Sequence, residues 1–362
     1  MENSRFIKGI FYFLIFICVV LAGTMLKVLE DFFKPVVLAV LLAAVFYPFV
    51  KRLNTKFKFP WFLGILIVYA CFSIVFILLG NILSSSLLSI INSYPKYEEK
   101  FRMIYRAMQQ SFAENKDSGI LNFFFDVNQD QTLLQNLSAQ LNIFGLLKNF
   151  AVNFGGFLVS FMKSTFLVVL FSIFLLLEMK FTKKKIYAAF SSENSTKIHD
   201  IMERIAKDTT HYISIKFFIS LLTGIFVFIF SLIAGLDFPL VWAFLAFILN
   251  FVPTFGSIIS WAITTVFAFL QCYPHPFPVI FIAVSVLLMN VILGNVIEPR
   301  IEGENLGISP FMILLSLSLW GWLWGFLGLI VAVPLMVIIK IFCENISVLR
   351  PIGILLGSER RR

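Results

Sequence analysis

Long apolar runs alternate along this chain with short polar connections, most of them basic. A bilayer-spanning helix needs about 20 apolar residues. Runs of that kind occupy positions 6–26, 61–83, 158–177, 217–234 and 277–296, and a shorter one at 35–50 is extended by Phe32 and Phe33. Two other runs, 238–271 and 309–342, do not fit one upright helix. Each would reach roughly 50 Å, at about 1.5 Å per residue, against an apolar layer of about 30 Å. Each also carries helix breakers near its middle: Asn250, Pro253 and Gly256 in the first, Gly321, Gly325 and Gly328 in the second. The pattern predicts an all-α, polytopic membrane protein of about eight helical segments. Two of these are broken or re-entrant hairpins, and a small helical extracytoplasmic insert is added.

Lysine and arginine set the orientation. Lys51, Arg52, Lys56 and Lys58 follow the second span, Lys180, Lys183, Lys184 and Lys185 follow the fourth, and Arg360, Arg361 and Arg362 end the chain. The positive-inside rule places all three, and both termini, on the cytoplasmic side. The expected organisation is then 1–83 as the first three transmembrane helices and 84–150 as the extracytoplasmic insert. Residues 151–212 hold the fourth transmembrane helix and a cytoplasmic amphipathic helix. A transport core at 213–345 holds both broken hairpins, and 346–362 form a basic tail. In the insert, Tyr97, Phe101, Ile104, Tyr105, Met108 and Phe112 fall on one helical face, and Leu133, Leu134, Leu137, Leu141 and Phe144 repeat the pattern. Ile198, Ile201, Met202, Ile205 and Ile213 line another amphipathic stretch, suited either to the membrane interface or to packing in the bundle. Lys163 and Lys216 fall near segment ends, where long side chains reach out to the interface. A span followed by a broken run occurs twice, at 217–271 and 277–342, with opposite starting sides. That is the layout of an inverted repeat, or of two unrelated hairpins that merely look alike.

Composition agrees with a bilayer as solvent. The chain of 362 residues is 59% hydrophobic and 14% charged, whereas soluble domains carry about 25% charged residues. Its net charge of +9 sits in short loops, which reads as membrane orientation and not as nucleic-acid binding. Cys18, Cys71, Cys272 and Cys343 form no paired motif and read as small buried hydrophobes, not as a disulfide framework or a metal site. The sequence holds no P-loop, GxSxG or HExxH pattern, so no catalytic residue, metal or cofactor is expected, and active transport would have to draw on an ion gradient.

Three stretches carry candidate chemistry. In the first, Pro253 removes a backbone donor, and Asn250, Thr254, Gly256 and Ser257 surround the gap. Its polar groups either dock an ion or polar solute or only satisfy the freed backbone. In the second, Asn295, Glu298 and Arg300 close the run 277–296. Glu298 is either a proton or cation switch or a salt-bridged helix end, pairing with Arg300 or another helix. In the third, Gly321, Gly325 and Gly328 make a flat face that suits close packing, or a polar lining together with Ser316 and Ser318. Asp237 reads as a loop residue capping the helix that follows.

In order, N-F-V-P-T-F-G from Asn250, N-V-I-E-P-R-I-x-G-x-x-L-G-I-S-P from Asn295 and G-x-x-x-G-x-x-G-L-x-x-A-V-P-L from Gly321 resemble the autoinducer-2 exporter family of bacterial permeases. The matching positions are Pro253, Gly256, Glu298, Pro299, Gly303, Gly307, Pro310, Gly325, Gly328 and Pro334. The resemblance implies an eight-helix-type membrane fold, a homo-oligomer and transport across the bacterial cytoplasmic membrane. Three functions are carried forward. The first is export of a small polar metabolite or signal such as autoinducer-2. The second is sodium–proton antiport of a monovalent cation, and the third a membrane scaffold using the outer insert.

Overall fold

The computed structural model describes residues 20–93, 143–189, 192–302, 307–346 and 349–357, with single positions between 13 and 18 and between 96 and 107. Expectations for the start of the first apolar run, for the leucine-rich face from Leu133 to Leu141 and for the terminal arginines lie outside the described residues. The elements are α1 (Glu30–Lys56), α2 (Trp61–Asn92), α3 (Ile143–Ala189), α4 (Ser192–Ile233), α5 (Pro239–Leu249), α6 (Phe255–Cys272) and α7 (Pro276–Val291). A π-helical turn at Ile292–Ile297 follows, then α8 (Glu298–Glu302), α9 (Pro310–Trp324), α10 (Phe326–Asn345) and α11 (Arg350–Leu356). Residues 20–28, before α1, are also helical. Among the described residues, 7 helices are long and apolar enough to cross a membrane. The chain is an all-α polytopic membrane protein.

Both broken runs are helical hairpins. The first is α5, 11 residues, and α6, 18 residues. At 1.5 Å per residue α5 is about 16 Å long, half of what a crossing needs, so this limb is too short to cross alone. The second is α9, 15 residues, and α10, 20 residues, joined at Gly325 alone. Gly325 adopts φ 64° and ψ −140°, a conformation that side chains with a Cβ avoid.

The chain divides into two compact units. The first comprises Met1–Phe72, Lys163–Lys216 and Arg300–Arg362. Here Val50, Ile65, Tyr69 and Leu176 pack α1, α2 and α3 together. The Trp61 indole donates to the Leu176 carbonyl at 2.9 Å, and the Tyr69 hydroxyl donates to that of Ser172. A second cluster resolves the amphipathic stretch. Ile201 and Ile205 of α4 pack on Met336, Val337 and Ile341 of α10, with Ile308 and Leu356 beside them. The stretch is therefore a bundle-packing helix. Its polar side ties in through Arg204, which pairs with Asp208 at 3.7 Å and Glu344 at 3.2 Å.

The second hairpin is fastened at its tip. The Lys27 ammonium donates to the Leu323 carbonyl at 2.7 Å, at the end of α9, where the helix dipole favours a cation. The Trp324 indole returns a bond to the Leu26 carbonyl at 3.1 Å.

The second unit comprises Ser73–Met162 and Phe217–Pro299. A Cβ at Gly224 of α4 would lie 3.0 Å from the Ala243 carbonyl oxygen, so α4 and α5 run in close contact there. Near the ends of the first hairpin, Asp237 gathers several partners. Lys96 and the Tyr97 hydroxyl each reach its carboxylate at 2.6 Å, and its backbone N–H donates to the Gln271 side chain at 2.7 Å.

Three expectations are corrected. Lys216 does not reach out to the interface; it is buried, with 3% of its surface exposed. Asp237 does not cap α5, whose N-cap is Phe238 with no side-chain cap; its carboxylate binds the insert instead. Of the cysteines, Cys343 is buried, but Cys18 and Cys71 are exposed on apolar helices and Cys272 is half-buried.

Candidate functional site

The break between α5 and α6 is built by sequence at every step. Pro253 has no N–H to donate, so the helix cannot run on through it. The backbone tightens instead: Asn250 donates to Ala246 at 3.0 Å, Phe251 to Ile248 at 3.3 Å and Val252 to Leu249 at 2.9 Å. Thr254 then turns left-handed, with φ 64° and ψ −57°. The Phe255 N–H donates to the Pro253 carbonyl across it at 2.7 Å. This is a γ-turn of the rarer, strained hand, and a β-branched residue with positive φ is an outlier. Gly256 follows with no room for a side chain, since a Cβ there would lie 1.7 Å from the Leu249 carbonyl oxygen.

A chain of neutral hydrogen bonds crosses this break. The Asn250 amide donates to the Ser220 hydroxyl of α4 at 3.1 Å and accepts from the Ser257 hydroxyl of α6 at 3.1 Å. The Asn290 amide of α7 donates to the Ser257 carbonyl at 3.2 Å. Asn250 is 6% exposed and Ser220 0%. Three helices and a break thus converge on uncharged donors and acceptors inside apolar segments. Each polar group that leaves water must find a partner, and here the partners are one another. Thr254, by contrast, is exposed at the turn.

Asn295 lies in the π-helical turn after α7, and Glu298 begins α8. Pro299 cannot donate to the carbonyl one turn back, and the chain widens into the π-turn Ile292–Ile297, which ends on a bond from the Glu298 N–H to the Leu293 carbonyl. Asn295 and Arg300 are exposed, and Glu298 is half-buried.

In the other unit, Ser316, Gly321, Gly325 and Gly328 serve to close the second hairpin. The buried Ser316 hydroxyl donates to the Ala332 carbonyl at 2.8 Å, joining the two limbs. A Cβ at Gly328 would lie 1.8 Å from the Trp320 carbonyl oxygen, and one at Gly321 would lie 2.7 Å from the Leu329 side chain. Ser318 is exposed and bonds back along its own helix to Leu314.

A family model described as AI-2E family transporter matches residues 10–347. The chain belongs to the AI-2E transporter family. AI-2E relatives include a putative transport protein of Borreliella burgdorferi, 29% identical over 98% of this chain and 91% of its own length. The AI-2 transport protein TqsA of Escherichia coli is 28% identical over 94% of this chain and 93% of its own. A sodium-lithium/proton antiporter of Halobacillus andaensis is 24% identical over 84% of this chain and 86% of its own. This AI-2E chain is a membrane transporter of the multi-pass bacterial inner-membrane type.

Sequence reasoning singled out Asn250, Pro253, Thr254, Gly256 and Ser257 as neighbours along the chain. It missed Ser220 and Asn290, which bond to them from α4 and α7. Asn290 carried a signal, as an amide inside the apolar run 277–296. Ser220 carried none.

Proposed function

We propose that this AI-2E transporter exports a small, polar, uncharged metabolite or signal, such as autoinducer-2, driven by an ion gradient, with both termini in the cytoplasm. The observation that carries the reading is the neutral cluster of Ser220, Asn250, Ser257 and Asn290 at a helix break within apolar segments. Broken helices at mid-membrane are where secondary transporters hold their cargo. Amides and hydroxyls match a hydroxylated solute group for group. Thr254, Gly256 and Pro253 shape the turn that presents them. The name of the TqsA relative points the same way.

A second reading, cation–proton antiport, is supported by the name of the Halobacillus relative and by Glu298, the acid at the end of the π-turn. It needs an acid that titrates during the cycle. Assembly as a homo-oligomer belongs to both readings, and the mass of the solubilised particle checks it.

The test is flux through purified protein in proteoliposomes, with labelled autoinducer-2 and a panel of small polyols, under a proton gradient, a sodium gradient or none. The Asn250→Ala variant should lose solute flux about tenfold, the loss expected from removing about 1.5 kcal/mol of hydrogen bonding. Glu298→Gln should keep it. Gradient-coupled cation exchange lost in Glu298→Gln, with Asn250→Ala unaffected, would replace the first reading by the second.

A further inference from the structure

Two stretches of the second unit, nearly equal in length, run side by side from the Asn250 cluster towards Asp237. At one end, Asn250 links Ser220 of α4 to Ser257 of α6. At the other, the Gln271 amide, near the end of α6, donates to the Gly235 carbonyl just past α4 at 2.9 Å. Residues 220–235 and 257–271 are therefore parallel and joined at both ends. At 100° per residue, Val227 and Ser231 lie within about 20° of Ser220 around α4, and Thr264 and Ala268 within about 20° of Ser257 around α6. These four are fully buried. The seam between the helices is thus lined by small side chains, and Ser231 faces the hairpin as Ser220 does.

The hydroxyls in these helices divide into two kinds. Thr223 donates to the Ile219 carbonyl at 2.9 Å and Thr264 to that of Ser260 at 2.8 Å, each on its own helix. Ser231 does not turn back in this way. It is 0% exposed, and its hydroxyl has no hydrogen-bond partner. A buried polar group left unpaired is costly, and its place calls for an explanation. Gly235 lies one helical turn further on, about 6 Å along the axis. Its carbonyl accepts from Gln271 and has a second lone pair to offer. A lone water at Ser231 would find too few partners, since a buried water needs two to four. A small solute with hydroxyls at both ends spans the turn from Ser231 to Gly235.

We propose that Ser231 is a second binding contact for a small hydroxylated solute, on a route along the α4–α6 seam from the Asn250 cluster to the Asp237 end. The inference rests on the reading of this chain as a transporter of an uncharged polar solute. Ser220 and Ser231 are about 16 Å apart along α4, so a solute released by the first polar group meets the second before it reaches Gly235. Small side chains close the seam, so parting it for a passing solute breaks few contacts.

The test uses the full chain in proteoliposomes, with labelled autoinducer-2 and small polyols as probes. An unpaired serine with only a structural role would give, as Ser231→Ala, wild-type flux and a higher melting temperature in detergent. A solute contact gives flux lowered about fivefold, the loss of one hydrogen bond, with the melting temperature not lowered. Thr265→Val is the control and should keep flux. The Thr265 hydroxyl is also buried and unpaired, but it lies one turn beyond Trp261, whose indole donates to the Ala283 carbonyl of α7 at 2.8 Å. It therefore belongs to the α7 side of α6 and not to the seam. A second measurement decides even if Ser231→Ala folds poorly. Ser231→Cys, in a chain with Cys18, Cys71, Cys272 and Cys343 changed to alanine, is treated with a small methanethiosulfonate reagent. Modification should proceed during flux and slow several-fold in an excess of whichever probe is transported. No modification, or the same rate with and without that probe, overturns the proposal. So does wild-type flux in Ser231→Ala. If Asn250→Ala then loses flux, the transporter reading stands and the seam route alone falls; if Asn250→Ala keeps it too, both fall.

Discussion

Thr254 occupies a backbone conformation that would suit glycine better. Left-handed strain costs about 1–3 kcal/mol, and glycine itself costs about 0.5–1 kcal/mol in chain entropy. Thr254→Gly should therefore raise stability by about 1 kcal/mol, visible as a higher melting temperature in detergent. Unchanged flux in that variant would show that the hydroxyl takes no part in transport. Gly256→Ala should act in the opposite sense. Its methyl group would fall on the Leu249 carbonyl, 1.7 Å away, so the hairpin must open or the variant must misfold. A loss of at least about 3 kcal/mol is expected, at the upper end for overpacking, with flux lost alongside. Pro253 and Gly256 were legible in the sequence because their effects are local. Ser220 was not, because a serine or threonine in an apolar helix can satisfy itself on its own backbone. Thr264 does so on the Ser260 carbonyl and Ser285 on that of Phe281. Only the fold shows which hydroxyl reaches across to another helix.

At the scale of elements, the two ends of the first hairpin are tied to the start of the insert. Lys96 and Tyr97 hold Asp237, Lys100 donates to the Tyr273 carbonyl at 3.0 Å, and the Tyr97 ring packs on Phe238 and Phe267. Burial alone would raise the Asp237 carboxyl's pKa. The Lys96 and Tyr97 bonds outweigh it and hold the pKa below the ordinary value. Burial, together with the same carboxylate, pushes the Tyr97 phenol upward, so it stays a donor. A carboxyl depressed on folding contributes stability above its unfolded pKa, about 3.9, and that contribution is lost as pH falls through the folded value. Hydrogen exchange at 96–104 should thus show steady protection from pH 8 to 5, at about the intrinsic pH trend, and lose it below about pH 4. Asp237→Asn should remove that transition.

The breaks themselves were legible, since proline and paired glycines interrupt runs too long to be single helices. Gly321 was not resolved correctly by its type. It lies inside α9, covered by Leu329, and Gly325 alone makes the turn. The stretch from Ile198 fitted interface or bundle equally well, because periodicity gives a face and not its partner; Met336 and Ile341 supply the partner.

For the whole molecule, the apolar runs fixed the fold class and the ordered motifs fixed the family, but orientation rests on the distribution of basic residues. That assignment has a direct check. His275, exposed between α6 and α7, should be reachable from outside the cell as His275→Cys, and Lys58, exposed between α1 and α2, only after permeabilisation as Lys58→Cys. A membrane-impermeant maleimide on intact cells reads both, in a background where the native cysteines are replaced. The reverse labelling would invert the topology.

The short limb α5, 11 residues ending at the Asn250 turn, has an electrical consequence. A polar tip only one α5 length, about 16 Å, into the apolar layer would leave about half the insulating thickness beyond it, and the local field there would be about twice that across intact bilayer. A monovalent ion crossing that remaining barrier would take up much of the about 2.3 kcal/mol that each 100 mV supplies. A cargo without net charge would take up none. The rate-limiting passage of such a cargo past Asn250 would then be indifferent to an imposed voltage, and any voltage sensitivity of turnover would belong to the ion that drives it.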